Sequence, residues 1–409
     1  MGPEPRRVDG SGRFKHPVSE GQTTGGRATL VSPWYRTMRI LRVAQKVYPT
    51  HIGGGAYHVH ALSRDQAEMG HDVTVLTFRD NPDQPAGEMR DGYRVVRVRS
   101  LVELIGNALG PGIYRCLAEH ADHDVVHAHS HLYFSTNVAA LRQLVEDRPL
   151  AITNHGLYSQ SAPQRVFDPY LKTLGRWTLN CSELVFCYTE IDEQRLRKIG
   201  VDTEIAVVAN GINPERFCPD GPVHASMPTG VPVALVAGRL VEGKNPDDAL
   251  TAVEQVRERG VPIRLVFCGD GPARADLEAR VKGTDREPWV TFLGHVPYDE
   301  MPHVYRGADL LVQPSRAEGF PRTVLEAFAS EVPAVTSALP QLRPVVETAG
   351  RTAPLGDVTA IADRIHDLLD NPELRARLGR SGRELVTDRF RWSETVRETT
   401  DRLEALVDG

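Results

Sequence analysis

Short apolar runs rich in β-branched residues alternate with amphipathic stretches twice along this chain, and a break dense in Pro and Gly separates the two series. The first series holds "RILRVAQ" (39–45), "DVTVLTF" (72–78), "YRVVRV" (93–98), "DVVHAHS" (124–130), "LAITNHG" (150–156), "LVFCYT" (184–189) and "IAVVANG" (205–211). The second holds "VALVAGRL" (233–240), "IRLVFCG" (263–269), "VTFLGHV" (290–296), "LLVQPS" (310–315) and "PAVTS" (333–337). All have strand length and composition, while 58–69 and 191–199 carry helical spacing with charged faces. Strands alternating with helices predict a parallel sheet wrapped on both sides, so the fold class is α/β with two doubly wound, Rossmann-like halves. Ligands of such sheets bind beyond the carboxyl ends of the strands, so two facing halves enclose a cleft.

The length, 409 residues, exceeds what one core usually organises and agrees with two domains. The expected boundaries are a disordered extension at 1–37, an N-terminal domain at 38–212, a linker at 213–232, a C-terminal domain at 233–385 and a terminal helix at 386–409. That helix is expected to pack back toward the N-terminal domain. The extension is rich in Gly, Pro, Ser, Thr and Arg, lacks an apolar core and lacks a signal-peptide apolar region. "LVELIGNALGPGIYRCLA" (101–118) is the longest apolar candidate outside the strands, and its charges and glycines favour a surface or interdomain helix over a membrane span.

A net charge of −6 argues against a general nucleic-acid binder, which usually carries a basic footprint. Five cysteines without a C-x-x-C pair suit a reducing cytoplasm. Without a strongly basic amphipathic helix, membrane contact is expected to be weak and peripheral at most.

"VAQKVYPTHIGGGAYHVHAL" (43–62) opens like a nucleotide-binding turn. A dinucleotide fold wants G-x-G-x-x-G; Gly53 and Gly55 fit, but the third position is His58. Hydride transfer to a nicotinamide therefore starts weak, although the glycines still let backbone approach a ligand.

"SRAEGFPRTVLEA" (315–327) decides the reading. Glu318 and Glu326 are separated by seven residues, and Pro321 sits where a helix begins, a first-turn position that suits proline. Glu318 then lies in a loop and Glu326 in the second helical turn, with free N–H groups near Arg322, Thr323 and Val324 turned toward a phosphate.

These residues resemble the E-x7-E element of the family-four glycosyltransferases of the GT-B fold. "VAGRLVEGKNPDDAL" (236–250) is similar to that family's "GR" and "K" element, and "FCGDGPARADL" (267–277) to its G-D-G-P element. "NHGLYS" (154–159) matches the position of its active-site histidine, and "NGINPERF" (210–217) its interdomain turn. The resemblance runs from Met38 to the end of the chain, and the motifs in this order are highly specific.

The resemblance implies transfer of a sugar, with retention of anomeric configuration, from a nucleotide-sugar donor (a UDP-, GDP- or ADP-sugar) to an acceptor hydroxyl on a glycan, a lipid-linked molecule or a small molecule. It implies no cofactor and no metal. Arg239 and Lys244 would neutralise the diphosphate leaving group. Glu326 would accept hydrogen bonds from the ribose, and Glu318 from the transferred sugar, with Gly319 and Phe320 beside it. Pro321, Arg322 and Thr323 would present the helix start to the phosphates, and backbone around Val296 would meet the base. His155 would hold the sugar from the opposite half, with Gly54 and Gly55 approaching the donor diphosphate or the acceptor.

"HAHSH" (127–131) places His127, His129 and His131 at alternate positions, which could mimic a metal site on a strand; a polar cleft wall is the expected reading. "YFSTN" (133–137) and "LYSQSAP" (157–163) suit sugar faces and suit loop packing equally. In "SEVPAVTSALPQLRPVVE" (330–347) the chain departs from the family, with Glu331 for a glycine and Ala338, Leu339 and Pro340 where a G-G pair is usual. That loop borders the donor sugar in the family, so the departure bears on the sugar's identity. A sugar-nucleotide 2-epimerase on the same fold and a non-catalytic sugar-nucleotide binder are the alternatives.

Overall fold

The computed structural model describes residues 36–104, 106–157 and 164–409. The expected disordered extension, apart from its last two residues, and most of "LYSQSAP" lie outside the described residues.

Two sheets dominate. The N-terminal sheet has eight strands in the spatial order Glu204–Val207, Leu184–Cys187, Leu150–Thr153, Val125–His129, Arg39–Val43, Asp72–Phe78, Tyr93–Val98 and Gly87–Arg90. All neighbours are parallel except Gly87–Arg90, which pairs antiparallel with Tyr93–Val98 at the edge. The C-terminal sheet is wholly parallel, in the order Val290–Gly294, Arg264–Cys268, Val233–Ala237, Leu310–Gln313, Ala334–Ser337 and Gly350–Ala353. Numbered along the chain this is 3-2-1-4-5-6, the Rossmann order.

In each sheet the chain winds outward one way from its first strand and then returns to wind the other way. The switch falls between Arg39–Val43 and Val125–His129 in one half, and between Val233–Ala237 and Leu310–Gln313 in the other. Crevices at the carboxyl ends of such strand pairs are where doubly wound sheets bind ligands. The glycine loop and the histidine run follow the first pair. Arg239, Lys244 and the Glu318 loop follow the second.

The central strands are buried on both faces, as helix-covered parallel sheets require. Leu41, Val126, Ile152 and Val185 pack on one side of the N-terminal sheet; Ile40, Val73, Val125 and Phe186 pack on the other. Gly269 follows Arg264–Cys268 with φ +142°, and a Cβ there would lie 1.9 Å from the Gly238 carbonyl oxygen. The two glycine-bearing motifs of this half therefore interlock through bare backbone.

The segment 101–118, expected as a helix, is instead a hairpin of Val102–Leu104 and Asn107–Leu109 followed by the helix Gly112–Glu119. Gly106 has φ +71° and turns the hairpin, and Gly110 and Pro111 interrupt any continuous helix. Of the stretch 213–232, Phe217 and Met227 are buried in the C-terminal core beside Val233 and Tyr305.

The chain crosses between the halves twice, side by side. Ile212 donates its N–H to the Phe390 carbonyl (2.8 Å), and Trp392 donates its N–H to the Ile212 carbonyl (2.9 Å). A Cβ on Gly211 would lie 2.5 Å from the Arg391 carbonyl oxygen, so this approach needs glycine. Pro372–Arg389 is the last helix before the return crossing, and Trp392–Asp408 is the terminal one. The terminal helix packs on the N-terminal half: the Trp392 indole N–H donates to Asp65, and Gln66 donates to the Thr400 hydroxyl (2.9 Å).

Candidate active site

The C-terminal wall is built around two buried carboxylates. Glu318, 5% exposed, lies in the loop after Leu310–Gln313. Its Oε1 accepts from Gln313 Nε2 (2.9 Å) and Ser315 Oγ (2.7 Å) and stands 3.2 Å from Lys244 Nζ. Lys244 ends the one-turn helix Glu242–Lys244 after Val233–Ala237, so the two strands at the switch point deliver an acid and a base to one place. Thr323 Oγ1 donates to Gln313 Oε1 (2.7 Å), which fixes the Gln313 amide that holds Glu318.

Glu326, 3% exposed, lies in the second turn of the helix Arg322–Ala329. Tyr298 Oη donates to its Oε1 and Tyr305 Oη to its Oε2, both at 2.9 Å. Burial and the neighbouring carboxylate push both phenols well above their usual pKa, which keeps them protonated as donors. An ionised carboxylate has about four acceptor sites, so two remain for other donors.

Pro321 is the residue before the helix, with ψ 122°, and helical geometry begins at Arg322. Of the three amides expected to be free at this start, that of Val324 is engaged by the Pro321 carbonyl (3.3 Å). Gly319 and Phe320 are buried, and Phe320 stacks on Phe390 at 5.3 Å between centroids. Val296 is buried in the C-terminal core. Arg239 is exposed, and its charge reaches Lys46 on the other half.

The N-terminal wall is made of imidazoles. His155 lies two residues beyond the strand Leu150–Thr153. Its Nδ1 is 2.7 Å from Tyr188 Oη, and its Nε2 is 3.1 Å from His129 Nδ1. The His127 and His129 rings lie 4.5 Å apart on one face of their strand, and His58 packs edge-on to His155 at 5.4 Å. Burial lowers His155 and His131 to about 4, and holds His58, His127 and His129 well below the usual imidazole range. Arg42, fully buried, is itself lowered to about 9 by burial; it stands 3.4 Å from His127 Nδ1 and disfavours a second charge there. Among the described residues no group of three or more His, Cys, Asp or Glu side chains has the arrangement of a metal site.

The two walls meet through Arg322. Its Nη1 donates to Asn210 Oδ1 and the Gly211 carbonyl, both at 3.1 Å, and its Nη2 donates to Tyr298 Oη (3.1 Å). The guanidinium also faces the Tyr57 and Trp392 rings at 5.4 and 5.3 Å. Burial works against its charge, but Tyr298 and Glu326 outweigh that and raise its pKa. A Cβ on Gly54 would lie 3.5 Å from Arg322 Cδ, and one on Gly55 would lie 3.6 Å from His155 Nδ1. The glycine loop is thus wedged between the helix start of one half and the histidine of the other. His58, which occupies the third glycine position, is hydrogen-bonded to Asn210 Oδ1 (3.0 Å).

Sequence reading missed Tyr188, Tyr298, Tyr305, Asn210 and Lys46. Each tyrosine comes from a segment without a motif, and only the fold brings it to a carboxylate or imidazole. Lys46 lies just beyond the strand Arg39–Val43, 5.8 Å from the Tyr133 ring; burial, then the Arg239 charge, lower its pKa.

Comparison with known proteins agrees with this architecture. Residues 52–216 match the family model described as Glycosyltransferase Family 4, and residues 224–385 match that of Glycosyl transferases group 1. The glycogen synthase of Mycobacterium tuberculosis is 29% identical over 394 residues, covering 89% of this chain and 93% of that protein. Among solved structures, the sucrose-phosphate synthase of Thermosynechococcus elongatus superposes with a TM-score of 0.78 at 21% identity, covering 91% of this chain and 99% of that one. HepE of Anabaena, solved in complex with UDP-glucose, superposes with a TM-score of 0.72 at 18% identity, covering 90% and 100%. With one model on each half and both walls of the cleft accounted for, the chain belongs to the family-four glycosyltransferases and is a glycosyltransferase of the GT-B fold.

Proposed function

We propose that the protein transfers a sugar from a nucleotide-sugar to an acceptor hydroxyl with retention of configuration and without a metal ion. The observation that carries this reading is the convergence of Lys244 on Glu318 at the switch point of the C-terminal sheet, in the same half whose Arg322 meets the glycine loop at Gly54. Lys244 and Arg239 supply the positive charge that a departing diphosphate needs, so the leaving group is stabilised by fixed protein cations. The free acceptor sites of Glu326 take the ribose hydroxyls. Glu318, held by Gln313, Ser315 and Lys244, receives the hydroxyls of the transferred sugar.

His155 closes over that sugar from the other half. Its low pKa keeps it neutral, so it meets the donor as a polar ring and adds no charge beside the anomeric carbon. The acceptor enters on the N-terminal side, along the wall formed by His129, Tyr133 and Lys46. The unpaired state of all five cysteines favours a cytoplasmic setting. No helix among the described residues is long and apolar enough to cross a membrane.

A thermal-shift screen of the full chain against UDP, GDP, ADP and their glucose and mannose derivatives, with NAD as control, tests the donor. A ligand of the folded state raises the melting temperature by mass action. A selective shift with one nucleoside diphosphate supports the reading, and stabilisation by NAD alone removes it. Turnover in excess EDTA and the anomeric NMR signal of the product then test metal independence and retention.

A further inference from the structure

The loop in which this chain departs from its family holds a buried side chain that the mechanism above leaves unused. Gln341 is 5% exposed, and its Nε2 donates to the backbone carbonyl of Glu318. That contact fixes the amide orientation, because the opposite rotation would set two carbonyl oxygens against each other. Gln341 Oε1 is consequently buried without a hydrogen-bond partner among the described residues. Ser337 Oγ, at the carboxyl end of the strand Ala334–Ser337 that leads into the loop, is buried and unpartnered as well. Buried polar groups are rarely left unsatisfied, and a bare amide oxygen together with a bare hydroxyl at the ligand-binding end of a doubly wound sheet points to a hydroxyl-bearing ligand that donates to the first.

We infer that Gln341 is a specificity residue for the transferred sugar: its Oε1 accepts a hydrogen bond from one sugar hydroxyl, next to those that Glu318 receives. This rests on the donor reading above. The side chain does two things with one amide. Its N–H end braces the Glu318 backbone, and its carbonyl end reads the substrate. A sugar that lacks a hydroxyl at the matching carbon leaves the acceptor bare, and that loss separates one donor sugar from another. Ala338, Leu339 and Pro340 add no side-chain hydrogen-bond donor or acceptor there, so the polar selectivity of this loop falls to Gln341 and Ser337.

The test uses the full chain and calorimetric binding of whichever pair the wild-type protein takes: UDP and UDP-glucose, GDP and GDP-mannose, or ADP and ADP-glucose. The monodeoxy sugars of that pair are included. Gln341→Met, close in volume and without an amide, is expected to bind the nucleoside diphosphate within about twofold of wild type and the nucleotide-sugar about fivefold more weakly, the worth of one neutral hydrogen bond. Wild type is expected to discriminate against one monodeoxy sugar by a similar factor that disappears in the variant. A merely structural brace would not erase discrimination at a single hydroxyl. Equal weakening of diphosphate and nucleotide-sugar, or survival of every hydroxyl preference in Gln341→Met, overturns the assignment. Monodeoxy sugars bound by wild type as tightly as the parent overturn it without any variant. If none of the pairs binds wild type, the donor reading itself fails first, which is a distinct result.

Discussion

The two walls of the cleft solve the burial of polar groups in opposite ways. On the C-terminal side, buried carboxylates are held by specific donors: Glu318 by Lys244, Gln313 and Ser315, and Glu326 by two tyrosines. On the N-terminal side, four imidazoles are buried, a fifth, His155, is half-buried, and all five are held below the usual imidazole range, with Arg42 beside His127. One wall has charge in place before the ligand arrives. The other keeps its imidazoles neutral by desolvation. Under the proposed function, the charged wall meets both the diphosphate and the sugar's hydroxyls, and the neutral imidazoles add no second charge from the opposite side.

Substitutions and pH can break this contrast. The largest effect is expected from Lys244→Ala, which removes the cation beside Glu318 and strands a buried carboxylate. Affinity for the nucleoside diphosphate measured by calorimetry should fall by about a hundredfold, in the range of a lost charge-assisted contact. A folded variant that binds within threefold of wild type would mean that the diphosphate lies elsewhere.

Acid should act on the other wall. An imidazole with a folded pKa of about 4 against an unfolded value near 6.5 binds fewer protons in the folded state, so stability is full above pH 6.5 and is lost as pH falls toward 4. Each such histidine should contribute a slope of about 1 kcal/mol per pH unit within that window. Thermal melts between pH 7.5 and 4.5 should therefore steepen below 6.5, and His131→Asn should reduce the slope. An unchanged slope would show that this imidazole is already solvated or already protonated.

Much of this was legible beforehand, and the misses share a cause. The central strands were readable because burial on both faces forces continuous apolar, β-branched runs, and Asp72–Phe78 has the limits expected of it; Tyr93–Val98, also found at its expected limits, alternates buried and more exposed residues instead. The edge strands Gly87–Arg90, "GEMR", and Gly350–Ala353, "GRTA", were not, because an edge needs less apolar sequence to persist. The hairpin at 102–109 was hidden by a hydropathy that resembles a helix. In the cleft, the Glu318 and Glu326 element stood out because its parts are contiguous. Tyr188, Tyr298 and Tyr305 act only across folded distances, where spacing in sequence carries no information. His58 looked like a missing glycine, yet its contact with Asn210 gives that position a purpose of its own.

Glu326→Gln sharpens the comparison further. A neutral amide still accepts from one tyrosine but sets its NH2 against the other, so nucleotide affinity should drop by about tenfold while the fold persists. Binding at wild-type strength would remove the ribose from Glu326. The smallest effect is expected at the crossing. Thr395 Oγ1 donates to the Ala209 carbonyl (2.7 Å) and accepts from the Gly211 N–H (3.0 Å). Thr395→Val should cost about 1–2 kcal/mol in denaturant unfolding and leave donor affinity unchanged. A large loss of affinity would instead tie the crossing to the binding site.

The return of the terminal helix to the N-terminal half has a consequence for how the chain is made. Leu403 is fully buried among Met38, Ile40 and Val73, at the underside of the first sheet. The half that is synthesised first is thus sealed by residues that are made only after the whole C-terminal half. Until the helix Trp392–Asp408 has been made, that sheet carries an open apolar face, while the C-terminal half can already assemble from its own segments. Order of synthesis and order of completion are reversed in this molecule, and a nascent chain arrested before the terminal helix should present its older half as the client of a chaperone.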